Sequence, residues 1–137
     1  MCNIRRIQPD DWQQYKALRL EAVRLHPEAF SATYDDQLAK TDTDWQVRVL
    51  NCATAPDNVI LVADNQYQLV GMMGLYRETG KRSHVAIIWG VYVQADYRRQ
   101  QLGCQLMQET PALARRMEGV RKVRLDVNAI KIGRAHV

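Results

Sequence analysis

From Val85 to Val93 the chain reads Val-Ala-Ile-Ile-Trp-Gly-Val-Tyr-Val, an uncharged run dominated by β-branched and aromatic residues. Strict alternation puts Val85, Ile87, Trp89, Val91 and Val93 on one side and Ala86, Ile88 and Tyr92 on the other. Both faces are then apolar, and both are expected to be covered. A strand of this kind belongs in the middle of a sheet, so the rest of the chain has to supply layers on either side of it.

The residues that follow narrow the reading. Tyr97-Arg98-Arg99-Gln100-Gln101-Leu102-Gly103 makes a basic turn, after which Leu102, Leu106, Leu113 and Met117 recur at helical spacing. The first turn of a helix leaves backbone N–H groups without intrahelical partners. The peptide dipoles add roughly half a positive charge there, which suits a phosphate or diphosphate. Gly103 lets a ligand approach the backbone, and the guanidinium forks of Arg98 and Arg99 add full charges.

Val91-Tyr92-Val93 followed by Arg98-Arg99-Gln100-Gln101-Leu102-Gly103 resembles motif A of the GCN5-related N-acetyltransferases (GNAT), whose core reads Gln or Arg, two residues, Gly, one residue, then Gly or Ala. Arg98 fits its first position and Gly103 its last. Gln101 departs from the pattern, standing where the family usually has its first glycine. The resemblance extends from about Asn3 to Ile130 and implies an α/β (α+β) fold of the acyl-CoA N-acyltransferase type. That fold is a mixed, mostly antiparallel central sheet flanked by helices.

For the activity, the resemblance implies transfer of an acetyl group from acetyl-CoA to a primary amine of a small molecule or protein, by direct attack and without a metal. The diphosphate would dock on the turn, against Arg98, Arg99, Gln100, Gln101, Leu102, Gly103 and Cys104. Val91, Tyr92 and Val93 would line the pantetheine arm, the backbone of Val91 and Val93 binding it like an added strand. The amine must lose a proton before it attacks, and the oxyanion that forms needs a donor. Glu78 and His84, which flank the turn into the central strand, are the candidate bases, His84 because it titrates near neutrality. Cys104 sits at a helix start, where a thiol is acidified, but no base with triad-like spacing accompanies it.

Composition limits the alternatives. At 137 residues, with 47% hydrophobic and 25% charged, the chain suits one ordinary globular domain. No apolar run approaches the ~20 residues of a membrane span, and the N-terminal residues lack a signal peptide's apolar core, which makes the cytoplasm the default. Three cysteines, Cys2, Cys52 and Cys104, are odd in number and lack any Cys-x-x-Cys pair, arguing against a disulfide framework and a zinc site. The net charge of +4 comes from basic residues interleaved with acids and without a recognised basic motif, which argues against a nucleic-acid surface. A CoA-binding module with little or no turnover and a basic nucleic-acid-binding domain stand as alternatives, and a homodimer is left open.

Along the chain, Asn3 to Ile7 reads as a first strand. Pro9 and Asp10 open a helix whose core stripe is Trp12, Tyr15, Leu18, Ala22 and Leu25, and His26-Pro27 ends it. Residues 28–43 read as loop or short helix bordering the acceptor pocket. Asp42 or Thr43 caps a further helix carrying Trp45, Val49 and Cys52. Val59 to Ala63 and Leu69 to Tyr76 form a hairpin in which Gly71 and Gly74 mark a bulge or a close backbone approach. Val123, Leu125 and Val127 form a strand that a right-handed crossover lays parallel to the central one. Pro111 predicts a kink near Met107, or a helix that ends there and restarts.

The resemblance further implies a helix and strands after the fifth strand that this sequence lacks. The last residues, Ile132-Gly133-Arg134-Ala135-His136-Val137, are what one reading frame of a common sequencing-library adapter encodes. Residues 1–131 are therefore expected to be an incomplete N-acetyltransferase domain, with Lys131 at the junction, and 132–137 a non-native tail.

Overall fold

A computed structural model describes residues 2–30, 33–100 and 102–125, with the backbone alone at 29, 99, 100, 102–104 and 107. Gln101 and residues 126–137, hence Asp126, Val127, Lys131 and the expected tail, lie outside the described residues. The strands β1 (Asn3–Arg6), β2 (Asn58–Asp64), β3 (Leu69–Arg77), β4 (Val85–Val93) and β5 (Lys122–Leu125) form one five-stranded sheet in that order. All neighbours are antiparallel except β4 and β5, which run parallel, as the crossover through the basic turn requires.

The helices α1 (Trp12–Leu25), α2 (Tyr34–Leu38) and α3 (Asp42–Thr54) precede β2, and α4 (Leu102–Arg115) joins β4 to β5. One apolar cluster joins Tyr15, Leu18, Ala22, Val23 and Phe30 to Trp45 and Val49 over Ile60, Val62, Met72 and Tyr92. On the other face Leu106 and Ala114 of α4 pack on Leu61, Met73, Ile88, Val91 and Val93. The sheet is thus covered on both sides, and β4 lies inside it.

Local chemistry sets the helix limits. Pro27 pushes His26 out of the helical region, to φ −135°, and α1 stops there. The cap of α3 is Thr41, one residue before Asp42 and two before Thr43, the two expected caps. Thr41 Oγ1 accepts from the Asp44 N–H at 3.1 Å, while Asp44 Oδ2 accepts from the Thr41 N–H at 2.9 Å. At the other end of α3, Arg6 donates to the carbonyls of Cys52 and Ala55.

Two expectations are corrected. Leu25 is 49% exposed. At about 100° per residue the buried arc of α1 runs from Leu18 through Ala22 and Tyr15 to Val23, so Leu25 falls outside it on the Leu18 side. Of the two outcomes expected at Pro111, the helix that ends near Met107 and restarts is the one corrected, because α4 continues from Leu102 through Pro111 to Arg115. Leu106, Thr110 and Ala114, each fully buried and one turn apart, hold it to the sheet across the missing hydrogen bond.

Candidate active site

The centre of β4 differs from the strict alternation expected of it. Met72 pairs with Tyr92 but Gly74 pairs with Trp89, so β4 carries one residue more than β3 over this stretch. Gly90 has φ +63°, a backbone region where glycine bears no Cβ penalty. The extra residue reverses the facing of everything after it. Ala86 and Ile88 share the α4 face with Val91 and Val93, whereas Trp89 and Tyr92 pack toward α1. A period of two survives only while the ladder is regular, and a bulge shifts it by one.

Around the bulge the neighbours are cationic and aromatic. The Trp89 indole lies across Gly74, in the space a Cβ there would occupy. Arg19 of α1 reaches over from the helix, its Nη1 3.0 Å from where a Gly90 Cβ would stand. Its Cζ lies 4.7 Å from the Phe30 ring centroid and 5.7 Å from that of Trp89. Arg48 of α3 stands 4.9 Å from the same indole. Arg19 is 9% exposed, and its Nη1 is buried without a hydrogen-bond partner. Burial, above all, holds this guanidinium below its ordinary pKa; the charge of Arg48 adds to the effect, and Tyr15 opposes it.

Beyond the bulge the polar groups are paired. The Tyr92 hydroxyl donates to Glu21 Oε2 at 2.6 Å, and the Gln94 side-chain amide lies 3.4 Å from Glu21 Oε1. Burial first, then the Glu21 carboxylate, pushes the Tyr92 phenol well above its usual range, so it stays a neutral donor. The 3-10 turn Ala95–Gln100 then leads into α4, which has Gly103 as its second residue and Cys104 as its third. Arg98 folds back on this group. Its Nε donates to the Val93 carbonyl at 2.9 Å, its Nη2 lies 3.4 Å from His26 Nε2, and its Cζ is 5.8 Å from the Tyr92 ring.

The backbone of β4 offers an edge here. The Gln94 N–H donates to Val70 of β3 at 2.9 Å. Backbone groups alternate sides along a strand, so those of Tyr92 and Gln94 face β3 while those of Val91 and Val93 face the opposite edge. On that edge the described pairing with β5 ends at Ile88 and Leu125.

Glu78 and His84 stand at the other end of β4. The five steps from Val85 to Gly90, at about 3.3 Å each, put that end roughly 17 Å from the bulge. Glu78 is ion-paired with Arg82 and lies 3.9 Å from Arg124, in an open cleft of about 420 Å³ shared with Tyr76 and Arg77. His84 is exposed, and its carbonyl accepts from the N–H groups of Arg121 and Lys122. Of the residues expected from the sequence, the fold gathers Val91, Tyr92, Val93 and Arg98 near the start of α4 and leaves Glu78 and His84 apart. Sequence reasoning passed over Arg19, Arg48, Glu21 and His26. A signal for Arg19 was present, since it lies four residues after Tyr15 and three before Ala22, inside the apolar arc of α1. Among the described residues no group of His, Cys, Asp or Glu gathers in a way that could hold a metal ion.

A mixed sheet with a bulged strand leading through a turn into a docked helix defines the acyl-CoA N-acyltransferase-like class of α/β folds. Within that class, the acetyltransferase (GNAT) family profile matches residues 12–132, and the chain belongs to that family. No curated protein matches the chain in sequence. Solved structures carry the likeness in fold. An acetyltransferase of the GNAT family from Streptococcus pneumoniae superposes with a TM-score of 0.76 at 19% identity, covering 99% of this chain and 83% of that one. For glucosamine-6-phosphate N-acetyltransferase from Arabidopsis thaliana the TM-score is 0.70 at 19% identity, over 92% and 82%. An aminoglycoside antibiotic 6′-N-acetyltransferase from Acinetobacter baumannii gives 0.67 at 20% identity, over 93% and 80%.

Proposed function

We propose that this chain is a cytoplasmic N-acetyltransferase that moves the acetyl group of acetyl-CoA to a primary amine. The observation that carries the reading is the outward edge of Val91 and Val93 running straight into the turn and the first residues of α4. An extended amide-bearing arm can pair with such an edge, and a diphosphate suits the N–H groups of a helix start. Arg98, Arg99, Gln100, Gln101, Leu102, Gly103 and Cys104 are the proposed diphosphate-binding residues, and Val91, Tyr92 and Val93 line the arm. Arg98 already bonds the Val93 carbonyl through one lone pair. A carbonyl oxygen has two, so this contact is compatible with the arm.

The chemistry needs no covalent enzyme intermediate. The neutral amine attacks the thioester carbonyl, the carbonyl electrons move to oxygen, the nitrogen gives up its extra proton, and return of the electrons expels the thiolate of CoA, which takes up a proton in its turn. Donors near the bulge stabilise the oxyanion. Glu78 and His84 are about 17 Å along the strand, so either acts on the amine only through ordered water. A drop of tenfold or more in kcat for Glu78→Gln or His84→Gln, with acetyl-CoA binding unchanged, assigns that relay. A change below threefold removes it.

Calorimetry with acetyl-CoA and a thiol-release assay over a panel of amines test the proposal. Micromolar binding with amine-dependent release of thiol is expected. Binding without release leaves only a CoA-binding module, and no binding of any CoA species defeats both.

A further inference from the structure

Arg19 is a cation in an unusual position. It stands in the buried arc of α1, packed between Phe30 and Trp89, with Nη1 aimed at the backbone of the β4 bulge and bonded to nothing among the described residues. Arg48 of α3, half-buried, brings a second guanidinium to the Trp89 indole, and among the described residues neither arginine has an ion pair. Removing a charge from water is costly without a counter-charge, and aromatic faces recover only part of that cost. Among the described residues no acid lies with the two guanidinium groups at the ring they share, which leaves both open to an anion.

We propose that Arg19 and Arg48, beside Trp89, bind an acidic group, a carboxylate or a phosphate, carried by the amine acceptor. The inference deepens the acetyl-transfer reading and rests on it for the word acceptor; the anion site itself stands on the geometry of the two arginines. A planar fork holds a carboxylate or a phosphate with paired hydrogen bonds, and the indole gives the acceptor's carbon chain an apolar wall. Gly90 suits this arrangement by its φ of +63°, and a Cβ there would stand 3.0 Å from Arg19 Nη1, so the guanidinium would have to shift slightly to admit it. Acceptors with an acidic group are selected over neutral ones because only they neutralise the buried charge.

The test is direct binding without acetyl-CoA, using matched amines: 4-aminobutyrate against its amide, and phosphoethanolamine against ethanolamine. Calorimetry gives the affinities, and the Trp89 indole N–H resonance, assigned with Trp89→Phe, reports the location. At least one acidic amine is expected to bind tenfold or more tightly than its neutral counterpart and to shift the Trp89 resonance. Arg48→Met and Arg19→Met should each reduce that preference below threefold, while Arg121→Met, at an exposed position away from the indole, leaves it intact. Equal binding of charged and neutral members overturns the proposal. So does a preference that survives in both variants, or competitive displacement of the acidic amine by free CoA, which cannot acetylate it and whose competition would give the arginines to the coenzyme. If acetyl-CoA fails to bind but the acidic preference holds, the transfer reading falls and the anion site remains.

Discussion

Two arginines at opposite regions of one sheet face contrasting electrostatic surroundings. Arg5, on the edge strand β1, donates from Nη1 and Nη2 to the two oxygens of Asp11 at 2.7 and 3.0 Å, and from Nε to Asp64 at 3.2 Å. These partners hold its pKa above the ordinary value, the Asp11 hydrogen bond most of all. Arg19, against the bulge of β4, is more deeply buried, has no acid beside it among the described residues, and is pushed the other way. Where a buried cation is saturated with carboxylates, its task is to hold the fold together. Where it is left unsaturated among the described residues, beside a bulge and an indole, it is available to hold an incoming anion, as proposed above.

Arg5→Met should produce the largest effect. It strands Asp11, which is only 7% exposed, and we expect a loss of about 3 kcal/mol in denaturant unfolding. Gly90→Ala follows, at about 2 kcal/mol by the same measurement, because alanine is strained at positive φ and its Cβ crowds Arg19.

Asp11→Asn refines the Arg5 half of the comparison through pH. Burial tends to raise the Asp11 carboxyl, but the Arg5 hydrogen bond, the Gln8 N–H and the Arg5 charge outweigh it and hold the carboxyl below its ordinary value. The folded chain therefore binds that proton less readily than the unfolded chain. The stabilisation is complete above the unfolded pKa, near 4, and is lost as pH falls through the lower folded pKa. Unfolding midpoints of the wild type and Asp11→Asn should differ at pH 6 and converge in the acid range, with about 1–2 kcal/mol at stake. Parallel midpoints down to pH 2 would show that folding does not hold the Asp11 carboxyl below its ordinary value.

The smallest change is expected for Arg19→Met, within about 1 kcal/mol of wild type or more stable, since losing the aromatic contacts is offset by relief of an uncompensated charge. A loss as large as that of Arg5→Met, seen in the same denaturant titration, would break the contrast and make Arg19 a structural residue.

Much of the architecture was legible in advance for local reasons. The hairpin of β2 and β3, the end of α1 at Pro27, the burial of Trp45, Val49 and Cys52 on α3, and the parallel β5 follow from periods and caps that neighbouring residues impose on one another. The close approach marked by Gly74 was readable too, although not that the Trp89 ring would fill it.

The amino-acid sequence by itself determined an uncharged central strand, the basic turn after it, and the helix start that the turn feeds, because each is written in runs of adjacent residues. Only the tertiary structure decided which way Val91, Tyr92 and Val93 face, since a single bulged residue reverses the alternation and Gly90, the local hint of it, does not say whether the strand bulges there or stays regular. The same holds for the arginines. Whether a guanidinium finds two carboxylates or none depends on which distant segments pack beside it, and that is fixed only when α1, α3 and β4 come together around Trp89.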